Sequence, residues 1–313
     1  MRTAVLALGG NALARSDEPA TVANQFRHAR ESVEPIVELA QEGWGIAIVH
    51  GNGPQVGDEL VRNQLALGEV EPLPLGVMVA ETAGWMGYML QQSLQNGLAR
   101  AGIAREVITV ITQTLVRADD PALARPTKPI GHALPESRVQ TLREAGIPLV
   151  KDGRGQWRRV AASPVPVGVV ESALVARLVA EGVIVIAAGG GGPPVYDDPE
   201  LGLEGVDAVV DKDRVASLLA KALGAEALVL LTDVDAVYED WGTPAARPIR
   251  RATLADLEGL AARGVLDEGG MRPKVEAAAA FVRGGGSRAI IAQLSDGPAA
   301  LRGETGTTIV REP

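Results

Sequence analysis

The chain has no cysteine, which excludes a disulfide scaffold, a thiolate nucleophile and cysteine-ligated metal sites, and fits a reducing compartment. Histidine is nearly as scarce. His28, His50 and His132 are too scattered to form a zinc set, and each reads as structural, with His50 the most open to a role because it precedes a glycine loop. Aromatic residues make up 3% of the 313 positions while apolar residues make up 46%, mostly Ala, Val and Leu. That balance suits buried parallel strands packed against helices with small-residue faces. No apolar run approaches the ~20 residues that span a bilayer. The opening Met1-Arg2-Thr3 with Val5 to Leu8 is too short for the apolar core of a signal peptide. The expectation is a soluble, cytoplasmic protein. A net charge of −9 without any lysine or arginine run argues against a nucleic-acid surface.

Lysine is also rare: Lys128, Lys151, Lys212, Lys221 and Lys274 are the five among 30 Lys and Arg residues. Arginine is the default cation here. A lysine kept between two acids, in Val209-Val210-Asp211-Lys212-Asp213, therefore points to a need for a compact point charge that the planar guanidinium cannot supply. The same stretch also reads as a solvated ion pair at a strand-helix junction. The rest of the chain has to choose between them.

Short apolar runs that end in glycine or acid and open into helical patterns recur along the sequence. Thr3 to Leu8 runs into Gly9-Gly10-Asn11, Gly45 to Val49 into His50-Gly51-Asn52-Gly53, and Val183 to Ala188 into Gly189 to Gly192. Val206 to Val210 leads into Asp211-Lys212-Asp213, and Ala227 to Leu231 into Thr232-Asp233-Val234-Asp235. Helices are predicted over residues 24–42, with a kink at Pro35, and over 56–67, 77–98, 171–181, 212–223, 254–263 and 272–283. Strands are predicted over 107–111, 288–292 and 307–310. This is the βαβ rhythm of an α/β fold. Between about Leu115 and Pro166 the rhythm breaks into a Pro-, Arg- and Gly-rich stretch, too long for a plain loop and read as an excursion from the sheet.

Ligands of open parallel sheets bind outside the carboxyl ends of the strands. The four loops that carry Gly9-Gly10-Asn11, Gly51-Asn52-Gly53, Gly189 to Gly192 and Thr232 to Asp235 should open on one rim. Any one of them alone reads as a tight turn. Several on one rim, joined by Lys212, favour an anion site. Neither G-x-x-x-x-G-K-[ST] nor a dinucleotide fingerprint occurs, and G-x-S-x-G is missing too. What remains is lysine-centred phosphoryl transfer, which asks a protein mainly to position anions and neutralise the equatorial oxygens. A charge pair at ~4 Å is worth about 4 kcal/mol at an effective dielectric near 20, before solvation is discounted. The candidates are Lys212, Lys274 and Lys128, with Asp213 orienting the lysines. Lys151 and Lys221 read as solvated surface.

Residues in order through almost the whole chain then carry a resemblance. They are Ala7-Leu8-Gly9-Gly10-Asn11-Ala12, His50-Gly51-Asn52-Gly53-Pro54-Gln55-Val56-Gly57, Pro126-Thr127-Lys128-Pro129-Ile130-Gly131, Gly189 to Gly192 and Val210-Asp211-Lys212-Asp213. Gly270-Met271-Arg272-Pro273-Lys274-Val275-Glu276-Ala277 and Gly306-Thr307-Thr308-Ile309 complete the set. The chain resembles the amino acid kinases and, within them, the carbamate kinases. The resemblance implies a three-layer αβα sandwich around a mainly parallel sheet of about eight strands. It implies a single domain over 1–313 with an inserted protruding lid at 117–165, a homodimer, and reversible phosphoryl transfer between MgATP and carbamate. It would place Lys128, Lys212, Asp213 and Lys274 at the chemistry. Gly9, Gly10, Asn11, Gly51, Asn52, Gly53 and Gln55 would hold the acceptor. Gly190, Gly191, Thr232, Asp233, Val234, Asp235, Tyr238, Met271 and Pro273 would border ATP or ADP. Mg²⁺ would arrive on the nucleotide, with no protein metal site and no nucleic-acid or membrane partner.

Two departures stand out. Arg159 to Pro166 replaces a Pro-Ser-Pro-Lys/Arg-Pro pattern, which removes a cation near Val165, and Thr232-Asp233-Val234-Asp235 looks more like the glutamate and acetylglutamate kinases. The open alternatives are a kinase of another small carboxylate or phosphate acceptor, and a nucleotide-binding sensor without turnover. Asp211 has no assigned role.

Overall fold

The structure, a computed structural model, describes residues 1–9, 13–14, 18–152, 155–266 and 271–312. It opens with β1 (Thr3–Leu8), α1 (Val22–Gln41), β2 (Gly45–His50), α2 (Gly53–Leu65), the long α3 (Leu75–Arg100) and β3 (Val107–Thr109). Next come β4 (Thr114–Val116), β5 (Lys128–Leu134), α4 (Glu136–Glu144), β6 (Leu149–Lys151), β7 (Trp157–Ala161) and β8 (Pro166–Val169). The chain continues through α5 (Ser172–Ala180), β9 (Ile184–Ile186), β10 (Pro194–Asp198), β11 (Gly202–Gly205), α6 (Lys212–Ala222) and β12 (Ala227–Thr232). It closes with β13 (Val237–Glu239), β14 (Arg247–Ile249), β15 (Arg251–Thr253), α7 (Leu254–Ala262), α8 (Arg272–Arg283), β16 (Arg288–Gln293), α9 (Gly297–Arg302) and β17 (Thr307–Val310).

Eight strands form the main sheet in the order β15-β17-β16-β12-β1-β2-β9-β3. From β16 to β3 every pairing is parallel, and β17 runs antiparallel to β16. Successive side chains on a strand point to opposite faces, so a strand buried on both faces reads as one unbroken apolar run. In β1, Val5 and Ala7 enter the core shared with α5, α6, α7 and α8, whereas Ala4, Leu6 and Leu8 enter the core shared with α1, α3 and α9. β2 and β12 divide in the same way. The result is the expected three-layer αβα sandwich. No helix among the described residues is long and apolar enough to cross a membrane.

Residues between β4 and β8 leave this sheet, and β5, β7 and β6 form their own antiparallel sheet with α4. Several elements depart from expectation, the unpredicted short strands β13, β14 and β15 among them. Residues 206–210 are not a strand: Ala208, Val209 and Val210 are buried and Val206 partly so, but Val209 N–H donates to the Ala162 carbonyl outside any ladder. An unpredicted four-stranded sheet, β11-β10-β4-β8, takes up the chain around this segment. α1 runs on through Pro35 and begins at a Thr21 cap, whose Oγ1 accepts from Asn24 N–H at 3.2 Å. α2 begins within the glycine loop itself, with Pro54 in its first turn, where a missing N–H costs nothing.

Candidate active site

Because β1, β2, β9 and β12 are parallel neighbours in one sheet, the loops that follow them open on the same rim. Backbone bonds stitch those loops together. Gly9 N–H donates to the Leu231 carbonyl and Gly51 N–H to the Leu8 carbonyl, both at 3.1 Å. Gly190 and Gly191 have φ of +68° and +92°, which only glycine adopts without strain. A Cβ on Gly190 would lie 2.0 Å from Asn52 Nδ2, and one on Gly191 2.5 Å from the Val210 carbonyl oxygen. Their bareness lets the second loop and the start of α6 close on the third loop. Asn52 is buried there, its Nδ2 donating to Thr82 Oγ1 at 2.8 Å.

At the N-terminus of α6, Asp211 is the cap residue, and Lys212 and Asp213 form the first turn. An acid in that turn is favoured by the helix dipole. Asp213 is 3% exposed and is shared by two lysines: Oδ1 lies 2.5 Å from Lys212 Nζ and Oδ2 3.1 Å from Lys274 Nζ. Lys274 comes from the first turn of α8, so Asp213 joins two helices as well as two charges. The third ammonium, Lys128 of β5, lies 2.8 Å from Asp211 Oδ2.

Burial pushes the Lys212 ammonium below the ordinary lysine range, as does the like charge of Lys274, and Asp213 opposes both. Burial also works against ionisation of the two carboxyls, yet both remain below the ordinary carboxylate range. Lys212 and Lys274 outweigh burial at Asp213, and Lys128, Lys212 and the Arg214 N–H outweigh it at Asp211. The acids are therefore charged at neutral pH.

Two cavities meet at this cluster. One, of about 270 Å³, is lined by Gly51, Asn52, Gly53, Lys128, Gly190, Asp211, Lys212, Asp213 and Lys274, with apolar walls from Val56, Ile130, Val209 and Val210. The other, of about 120 Å³, is lined by Thr232, Asp233, Val234, Tyr238, Trp241, Val265, Met271 and Lys274. Lys274 lines both. A narrow cleft carrying two aromatic rings thus opens directly onto a basic chamber.

Most residues singled out in the sequence converge here, but not all. Gly10 and Asn11 lie outside the described residues, as does Gly270 of the motif that contains Lys274. Gln55 is buried and turned toward α1, its Nε2 donating to Gln25 Oε1 at 3.2 Å. Gly9, Gly191, Asp235 and Pro273 line neither cavity. Asp235 instead accepts from the Tyr238 hydroxyl at 2.7 Å and so orients that ring. Val165 is half-exposed and lines neither cavity. Sequence reasoning missed Asp211 as a partner of Lys128, although an acid just before a helical pattern is a cap signal. It also missed Trp241, which had no signal beyond an aromatic next to a turn glycine.

Fold and cluster together place the chain among the α/β kinases built on an open, mainly parallel sheet. Residues 2–293 match the amino acid kinase family, and the chain belongs to that family. It is similar to the carbamate kinase of Escherichia coli, with 45% identity over 310 residues and 99% of each chain covered. It is likewise similar to that of Pyrococcus horikoshii, with 41% identity over 308 residues, 97% of this chain and 98% of the relative. Among solved structures, carbamate kinase from Giardia lamblia bound to citric acid superposes with a TM-score of 0.94 at 35% identity, covering 99% of each chain.

Proposed function

We propose that the chain catalyses reversible phosphoryl transfer between MgATP and carbamate, and that its working direction makes ATP from carbamoyl phosphate and ADP. The observation that carries this reading is the Lys212–Asp213–Lys274 cluster at the junction of a basic chamber and an aromatic cleft. The chamber suits the phosphoryl group and its acceptor, and the cleft suits a nucleotide. The relatives, called carbamate kinases over nearly their whole length, support carbamate as the acceptor.

In the ATP-forming direction a β-phosphate oxygen of ADP attacks the phosphorus of carbamoyl phosphate. The bond from phosphorus to the carbamate oxygen breaks, and carbamate leaves as an anion. Both nucleophiles are already anionic oxygens, so no general base is needed. Lys212 and Lys274 neutralise the equatorial oxygens, Asp213 keeps them apart and oriented, and Lys128 adds a third charge. Gly51, Asn52 and Gly53 present the chamber's floor to the acceptor. Among the described residues no three histidine, aspartate or glutamate side chains converge into a metal site, and Asp211 and Asp213 are both held by lysines. Mg²⁺ would arrive with the nucleotide and would supply further charge neutralisation there.

Residues 117–165 act as a lid in this reading, and the protein works as a cytoplasmic homodimer. Tyr88 of α3, Ile108 of the edge strand β3 and Ile111 just after it are exposed at 54%, 40% and 45%, apolar surface that a second copy would cover. Light scattering tests the dimer. A coupled assay for ATP, with carbamoyl phosphate as sole phosphoryl donor and Mg²⁺ and ADP present, tests the reaction. Folded protein without activity in that assay would sink the proposal.

A further inference from the structure

The two oxygens of Asp211 have different partners. Oδ1 accepts from the backbone N–H groups of Asp213 and Arg214 at 3.0 and 3.2 Å, which caps α6. Oδ2 accepts from Lys128 Nζ at 2.8 Å. Lys128 belongs to β5 in the small antiparallel sheet, 83 residues away in sequence. One carboxylate thus holds the first turn of α6, with Lys212 and Asp213 on it, and also the distant ammonium that shares their chamber.

The charge balance of the chamber explains why a second acid is needed. Asp213 is already divided between Lys212 and Lys274. Without Asp211, Lys128 would face two other ammonium groups with no counter-charge, and repulsion would drive it toward solvent. A strand position does not prevent that, because four rotatable methylenes separate Nζ from the backbone. The pair is also sheltered enough to matter, with side chains 31% and 21% exposed.

We infer that Asp211 is the positioning residue for Lys128: it parks the ammonium over the chamber and docks the small sheet onto α6 until phosphoryl oxygens compete for it. The inference rests on the phosphoryl-transfer reading. Asp211 itself does not touch the reacting atoms, since Oδ1 stays engaged by backbone N–H groups and only Oδ2 gives up its partner.

The decisive variant is Asp211→Asn, because asparagine caps a helix about as well as aspartate but carries no charge to hold Lys128. Acetylation of Lys128, Lys212 and Lys274 by acetic anhydride is followed on the full chain by mass spectrometry. ATP formation is measured for wild type, Asp211→Asn, Lys128→Ala and the double variant. Asp211→Asn should leave the thermal midpoint within ~2 °C of wild type while Lys128 acetylation accelerates several-fold relative to Lys274. Its kcat/KM should fall roughly tenfold, and the double variant should be no slower than Lys128→Ala alone, since both changes remove one interaction. Unchanged Lys128 acetylation overturns the inference, and so does a double variant whose loss equals the product of the single losses. If wild type makes no ATP, the functional reading fails by itself, and the acetylation rates still decide the role of Asp211.

Discussion

Gly57 and Gly131 pack backbone against backbone: a Cβ on Gly57 would lie 2.1 Å from Gly131 Cα, and one on Gly131 would lie 3.0 Å from Gly57 Cα. Gly57 closes the motif that starts at His50, and Gly131 closes the motif that holds Lys128. Two stretches far apart in sequence therefore meet at their last residues. The crossing seats α2 against β5, and Ile130 of β5 packs with Val56 of α2 in one small apolar cluster. Lys128 follows from that seat, because it is on the same strand.

Gly57→Ala tests the crossing. The new methyl meets backbone rather than a flexible side chain, so β5 has to move, at a cost of about 1–3 kcal/mol in an overpacked contact. Urea unfolding should show that loss. In the coupled ATP assay, run where the variant is still fully folded, kcat/KM should drop further than the folded fraction explains, because Lys128 moves with its strand. Wild-type kcat/KM in a folded variant would remove the crossing from the catalytic argument.

Lys212→Ala and Lys274→Ala should each lower kcat by about 10²–10³, the range seen when one preorganised donor to a transition-state oxygen is lost. Circular dichroism should be unchanged, since each single variant leaves Asp213 one lysine partner and removes no apolar core side chain. The two effects should combine to less than their product, because both lysines share Asp213. Near-normal turnover in both single variants would remove these lysines from the chemistry.

The parts of this molecule that a sequence reveals are those governed by local rules. Thr3–Leu8 and Ala227–Thr232 are unbroken apolar runs stopped by glycine or acid, and a strand buried on both faces has no other signature. Residues 206–210 look the same and are not a strand. Burial alone produced their pattern, and the partner of the Val209 N–H, the Ala162 carbonyl, is a tertiary fact. The same limit applies within the site. Lys212, Asp213 and Lys274 stand out by residue type and neighbours, whereas the Lys128–Asp211 contact joins segments whose spacing encodes nothing about their approach. Gln55 shows the converse: it belongs to a motif that lines the chamber, yet successive helical positions point about 100° apart, and its own faces Gln25.

Trp241 provides a probe of the narrow cleft. Its ring centroid is 5.1 Å from that of Tyr238, with planes tilted by 58°, and Asp235 fixes the Tyr238 hydroxyl. If the cleft takes a nucleotide base, stacking on these rings should supply about 1–3 kcal/mol. Trp241→Ala should then weaken ADP binding by roughly tenfold or more in isothermal titration while leaving kcat at saturating ADP nearly unchanged, because Trp241 lines the cleft but not the chamber that holds Asp213. Equal ADP affinity in the variant and wild type would place the base elsewhere.

His50 ends β2, is 1% exposed and has Nδ1 3.1 Å from the Gly51 carbonyl oxygen, so that nitrogen carries the proton of a neutral ring. Burial lowers its pKa to about 4, with Lys212 acting in the same direction and the backbone bonds to Gly51 and Ala83 opposing. The unfolded chain takes up this proton near its ordinary value of ~6.5. Between those two values the unfolded state binds more protons, so stability is full above about 6.5, falls as pH drops toward 4, and stops falling on this account below it. The difference amounts to about 3 kcal/mol. The depressed carboxyls of Asp211 and Asp213 act in the same sense but at lower pH, from the ordinary carboxylate value downward, so they do not mask the window. Urea unfolding from pH 7.5 to 4 should therefore show a declining free energy in wild type and a much flatter profile in His50→Gln, whatever that variant's absolute stability. A slope identical to wild type would assign the loss to another group.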